Sequence, residues 1–144
     1  MNASASSLDR RLAYGVFRLT LGVNILIHGA GRIFGSGAGA FAGKMGSEFA
    51  GTPLPYALVH GFLVVLPFVE AIVGVSIALG LLTRWGLTLG GLLITALVFG
   101  TALRSDWATI GIQMVYALTY YLLLANLADN YFSLDTVLER LRNT

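Results

Sequence analysis

The chain contains no cysteine. Disulfide exchange, iron–sulfur ligation and CxxC zinc sites are therefore excluded for this chain on its own. Histidine is scarce: His28 and His60 are the two present. Neither a metal nor a haem held by this chain alone is expected. Charge is sparse as well. Asp, Glu, Lys and Arg make up 11% of the residues, against about a quarter in an ordinary soluble domain. The net charge of +2 is too small and too scattered for a nucleic-acid surface, so no nucleic-acid partner is expected. What remains is apolar, 56% of 144 residues. That is the composition of a single membrane-embedded domain whose first partner is the lipid bilayer.

Four apolar runs, about 11–33, 56–82, 87–103 and 108–128, approach or exceed the roughly 20 residues that cross a hydrocarbon core. The expected fold class is all-α: an integral membrane four-helix bundle with short interfacial amphipathic helices, one domain over 1–144. In the first run Gly15, Gly22 and Gly29 recur every seven residues, a smooth stripe against which another helix can pack closely. Gly86 and Gly90 offer the same service in the third. The connection 34–55 is glycine-rich and long enough to be a lid. Within it Phe41, Met45 and Phe49 share a face, and Lys44 and Glu48 are spaced for an i,i+4 charge pair. These features predict an interfacial helix within 38–50. Ser133 caps a second, over 133–143, whose Leu134, Val137, Leu138 and Leu141 share one face. Arg10-Arg11, an apolar run and Ala38-Gly39-Ala40 loosely imitate a cleaved signal. The run is too long and carries Arg18, His28 and Arg32, so it reads as a retained first span. Even-numbered spans put both termini on one side. That side holds Arg10, Arg11, Arg84, Arg140 and Arg142, against Arg32, Lys44 and Arg104 opposite. The excess predicts cytoplasmic termini in a bacterial-type inner membrane.

The polar residues inside these runs carry the functional information. Glu70 lies within the second span, one turn after Pro67. A carboxylate in hydrocarbon is costly and marks proton or substrate paths, or else a buried ion pair that ties helices together. Asn24, His28 and Arg32 fall at i, i+4 and i+8, with Arg18 within roughly 120° of them. Such a side is expected to line the bundle interior or a wet cavity. Singly, Arg32 also suits snorkelling, and His28 a satisfied interior hydrogen bond. Gln113, Tyr116 and Tyr120 share a face in the fourth span and form a pocket wall or plain packing. The basic partner expected for Glu70 is Arg18, with His28 as the alternative, since an unpaired buried carboxylate would neutralise.

These residues resemble the DoxX family of small four-span membrane proteins, which includes the DoxD-type subunit of thiosulfate:quinone oxidoreductase. The resemblance rests on Arg18 with His28-Gly29 and Arg32, Leu54-Pro55, Glu70 with Gly74, Gly80-Leu81-Leu82-Thr83-Arg84 and Phe132-Ser133-Leu134-Asp135. It covers nearly the whole chain. It implies that Arg18, Glu70 and Asp135 occupy recurrent polar positions. It also implies oxidation of a small sulfur compound coupled to a quinone, or docking of soluble redox enzymes. Two readings of function follow. In the first, the chain is a quinone-linked oxidoreductase subunit. Glu70 and Arg18 are then the candidate catalytic residues, and His28, Arg32, Asn24, Gln113 and Tyr116 the candidate substrate-binding residues, with no metal. In the second, it is a non-enzymatic structural or docking subunit of a larger complex. Partner subunits or a homo-oligomer are expected in either case. A small-molecule transporter is a third possibility.

Overall fold

The computed structural model describes residues 3–143. Among the described residues six α-helices follow one another: α1 (Ala3–Gly31), α2 (Ala38–Ser47), α3 (Tyr56–Leu79), α4 (Thr83–Leu103), α5 (Trp107–Ala125) and α6 (Leu134–Arg142). A π-helical turn, Arg32–Ser36, finishes α1, and a 3₁₀ turn, Leu127–Asp129, follows α5. The helical segments Ser6–Ser36, Tyr56–Leu79, Thr83–Leu103 and Trp107–Ala125 are each long and apolar enough to cross a membrane. The expected four spans are therefore present, with boundaries shifted by one to five residues; the second begins at Tyr56 as expected but stops at Leu79 rather than 82.

Glycine sets the tightest contact in the bundle. A Cβ added to Gly22 would stand 2.6 Å from Ala78 Cα, and one added to Gly74 would stand 2.6 Å from Leu26 Cα. Gly29 faces the backbone of Pro67 and Ala71. α1 and α3 therefore touch backbone to backbone over two helical turns, the arrangement small residues allow in hydrocarbon. Two of the three glycines spaced by seven make this seam; the third, Gly15, lies against Phe132. Gly90 of α4 similarly receives the ring of Tyr120. Around these seams Leu21 and Ile25 of α1, Val73 and Ile77 of α3, Leu87 and Ile94 of α4 and Leu123 of α5 form the core. The outward faces of α3, α4 and α5 carry exposed apolar residues, Ile72, Leu92, Ile112 and Val115 among them, as lipid-facing helices require.

The end of the bundle that holds the α3–α4 turn is closed by side chains from far along the chain. α3 stops at Gly80, whose φ of +66° is open to glycine at little cost. Gly80 N donates to Ile77 O and Leu81 N to Ser76 O, the pair of bonds that ends helices around a left-handed glycine. Leu82 is also left-handed, at φ 51°, and its side chain cannot cap α4. The cap comes from Asp135: its carboxylate accepts from Leu82 N at 2.7 Å and Thr83 N at 2.8 Å. Asp135 N in turn donates to Gly80 O. This remote cap explains why α4 begins at Thr83 rather than near 87. Asp106 caps α5 by accepting from Thr109 N and from the Thr109 hydroxyl. Those two bonds hold its carboxyl below the usual carboxylate range, against the opposing effect of desolvation.

Asp135→Ala removes the cap from α4 and leaves Leu82 in a strained conformation with its N–H unpaired. We expect a loss of about 1–2 kcal/mol. Hydrogen exchange should quicken at 80–86 and along α6, with exchange in the centre of α3 unchanged. Exchange unaltered at Leu82 and Thr83 would contradict the cap.

Two local expectations are corrected. Lys44 and Glu48 do not pair; Glu48 forms an ion pair with Arg104. α2 packs against α3 with Ala42 fully buried, so its apolar face is turned toward protein.

Candidate functional site

Glu70 projects from the middle of α3 into the bundle and is 5% exposed. Its partner is Arg32, which forms a hydrogen-bonded ion pair with the Glu70 carboxylate. The expected partner, Arg18, lies near the middle of α1 (Ala3–Gly31), about four turns before Arg32. The helix register explains the correction. Gly22 and Gly29 seat α1 on α3 and fix which face of α1 is inward. Arg18 then falls beside the end of α3, where its guanidinium donates to the carbonyls of Ile77, Ala78 and Phe132. Ile77 and Ala78 lie in the last turn of α3, where carbonyls run out of helical partners, and Phe132 precedes α6, so Arg18 ties α1, α3 and the tail together. Arg32 reaches Glu70 because α1 ends in the π-helical turn Arg32–Ser36. Such wide turns recur where a side chain is re-aimed for function. No residue pattern announced it.

The same register leaves Asn24 and His28 exposed, so the expected four-residue interior stripe is split. Asn24 lies roughly 160° around the helix from Gly22. Arg18 and Arg32 turn inward; Asn24 and His28 do not. Asn24 Oδ1 accepts from the Tyr116 hydroxyl of α5 at 2.8 Å. The His28 imidazole is close enough to act electrostatically on the Glu70 carboxylate. So is Glu70 on the hydroxyl of buried Tyr120.

Beyond the Arg32–Glu70 pair lies a cavity of about 580 Å³ between α2, α3, α4 and α5. Its size suits a small-molecule ligand. The walls are mostly apolar, from Phe41 and Met45 of α2, Phe49 in the turn after it, Leu63 and Leu66 of α3 and Leu97 of α4. Polar groups stand at a few points. The Arg32 guanidinium lines one wall and stacks 4.6 Å from the Phe41 ring centroid. Gln113 of α5 donates through Nε2 to Thr101 Oγ1 at 3.0 Å, while its Oε1 is buried with no partner. Arg104 stands at the rim, held by Glu48 and stacked over Phe49. Arg32 is thus shared: one side faces the cavity, the other holds Glu70.

Of the residues singled out from the sequence, the structure brings Arg32 and Gln113 to the wall of this cavity, with Glu70 held behind Arg32. It joins Asn24 to Tyr116 between α1 and α5, leaves His28 exposed on α1, and places Arg18 beside the far end of α3. Sequence reading missed Thr101, Arg104 and Glu48 as parts of the site. Thr101 is one hydroxyl in an apolar helix, and the Glu48–Arg104 pair spans two connections, so neither carried a local signal.

The model of one protein family, described as TQO small subunit DoxD, matches residues 49–144. That match takes in Glu70, Gln113, Tyr116 and Asp135 and leaves out α1. No curated protein and no solved structure matches the chain.

Proposed function

The chain belongs to the DoxD family of TQO small subunits, and from that premise we propose that it is the membrane subunit of a quinone-linked oxidoreductase whose quinone ring sits in the cavity beside Arg32. The observation that carries this reading is Arg32, which lines a largely apolar chamber and is ion-paired with buried Glu70 behind it. Buried charges in a span are expensive and mark sites of function. The donor set fits a quinone. Apolar walls receive the ring and isoprenoid tail, Arg32 offers N–H donors to a carbonyl oxygen, and Gln113 presents a polar atom with no protein partner.

A bound quinone supplies two-electron, two-proton chemistry. The chain's own part is to bind, orient and move protons. Arg32 orients the ring oxygen and pairs with the Glu70 carboxylate behind it, and Glu70 is the group that accepts or releases a proton. α2 covers the cavity as a lid, fastened at the rim by Glu48 and Arg104. Arg18, bound to three backbone carbonyls through its terminal nitrogens, serves architecture. The electron donor is a small sulfur compound handled together with a partner subunit. The termini, with their excess of arginine, face the cytoplasm.

Decylubiquinone binding to the chain in nanodiscs, read as a thermal shift, tests the cavity. We expect a clear upward shift for the native chain. Ala96→Phe, which fills the chamber from α4, should abolish it, and Gln113→Leu should weaken binding about tenfold, the cost of one good polar contact. Both variants should melt like the native chain without quinone. Native-strength binding in both variants removes the site from this cavity.

A second reading, a docking subunit, is favoured by the tail. Arg18 and Asp135 fasten it to three helices, and it displays α6 with Leu138 and Leu141 exposed. Unchanged quinone reduction by the assembled complex when Ala96→Phe is present would favour that reading.

A further inference from the structure

The outward face of α1 carries polar residues where lipid is expected. Thr20, Asn24 and His28 are exposed and lie at i, i+4 and i+8. Thr20 satisfies itself by donating to Val16 O at 2.9 Å. Asn24 uses only Oδ1, toward Tyr116; its amide N–H groups have no partner, and His28 makes no hydrogen bond among the described residues. Polar side chains in a span face protein or water rather than hydrocarbon. Among the described residues, Tyr116 at the edge of α5 is the one side chain from another helix that hydrogen-bonds to this exposed stripe. Gly31 continues the same face, with open space around it.

We infer that this face is where a second copy of the chain packs, with two α1 helices side by side about a two-fold axis along the membrane normal. Such an axis sets each residue opposite its own counterpart at the same depth. The stripe is built for that. An Asn amide and a neutral imidazole each carry both a donor and an acceptor, so Asn24 meets Asn24 and His28 meets His28 with complementary groups. A row of arginines at these positions would repel itself. Small Thr20 and Gly31 at the two ends of the stripe let the helices approach. The second copy also covers the thinnest side of the bundle. Across it, among the described residues, the Tyr116–Asn24 hydrogen bond alone joins side chains of α1 and α5.

Because the chain has no cysteine, single-cysteine cross-linking in native membranes reads this contact cleanly. Thr20→Cys should yield a disulfide-linked homodimer on mild oxidation. Leu92→Cys, 63% exposed on α4, should stay monomeric. In nanodiscs, single-particle mass measurement should find two copies per disc. Asn24→Leu combined with His28→Leu should weaken that dimer by about tenfold or more. A monomeric mass for the native chain overturns the inference, whatever the cross-link shows. So does equal cross-linking by Leu92→Cys, or capture of a different polypeptide by Thr20→Cys, which would give the stripe to a partner subunit instead.

Discussion

Arg32→Met is expected to abolish quinone-linked turnover and to destabilise the bundle. The substitution leaves the Glu70 carboxylate buried without its cation, and stranding one member of a buried pair costs roughly 3–5 kcal/mol. Arg32 lines a cavity and is partly exposed, with 28% of its side chain accessible, so the lower end of that range applies. Glu70→Gln strands Arg32 in the same way but keeps the shape and a hydrogen bond to the guanidinium. The double variant, Arg32→Met with Glu70→Gln, removes both charges. It should recover stability to within about 1 kcal/mol of the native chain, because a buried pair contributes little net stability over neutral residues of similar size. Turnover should stay lost in all three. Thermal melting and quinone reduction on the same nanodisc samples separate the outcomes. Activity that follows the folded fraction across the three variants would reduce the pair to a structural tie.

Gly74→Ala is expected to break the α1–α3 seam. The added methyl would stand 2.6 Å from Leu26 Cα and also against Leu26 N. Backbone atoms cannot rotate away as a side-chain tip can, so the two helices must separate. Overpacking of an ordinary core costs about 1–3 kcal/mol, and a clash with backbone should exceed that range. Gly22→Ala meets Ala78 in the same way. Separation of α1 from α3 also pulls Arg32 from Glu70 and Arg18 from the end of α3, so binding and tail docking should fail together. Gly111→Ala is the control, since nothing lies within 4 Å of its added methyl; it should change stability by less than about 0.5 kcal/mol. Equal melting of Gly74→Ala and Gly111→Ala in the same micelles would show that the seam tolerates expansion.

The architecture was legible because its causes are local and periodic. Apolar run length gives the spans, and glycines seven apart in the first span mark the face that meets α3. Ser133 and the leucines after it define α6 without help from elsewhere. Glu70 was legible as a site residue because a lone carboxylate in an apolar run has few explanations. Its partner was not. Arg18 and Arg32 both lie near the inward side of an ideal helix, and the choice between them depends on a π-helical turn that widens α1 at its end. Asn24 and His28 share a periodic stripe with Arg32, yet the glycine seam, not the polar stripe, decides which side of α1 faces inward. The cap of α4 by Asp135 joins residues more than fifty positions apart, a spacing that no window along the chain detects.

That long-range cap bears on how the protein is made. As the ribosome feeds the chain into the membrane, the second and third spans can enter as a hairpin while residue 135 is still unsynthesised. At about 5–20 residues per second, the carboxylate that closes their turn follows some seconds later. Until then Leu82 and Thr83 have no acceptor for their N–H groups, and Arg18 can engage the carbonyls of Ile77 and Ala78 but not Phe132. Insertion thus precedes locking. A nascent chain arrested before Asp135 emerges holds its spans in the bilayer with this corner of the bundle still open, a state in which quality-control proteases can tell an unfinished copy from a finished one.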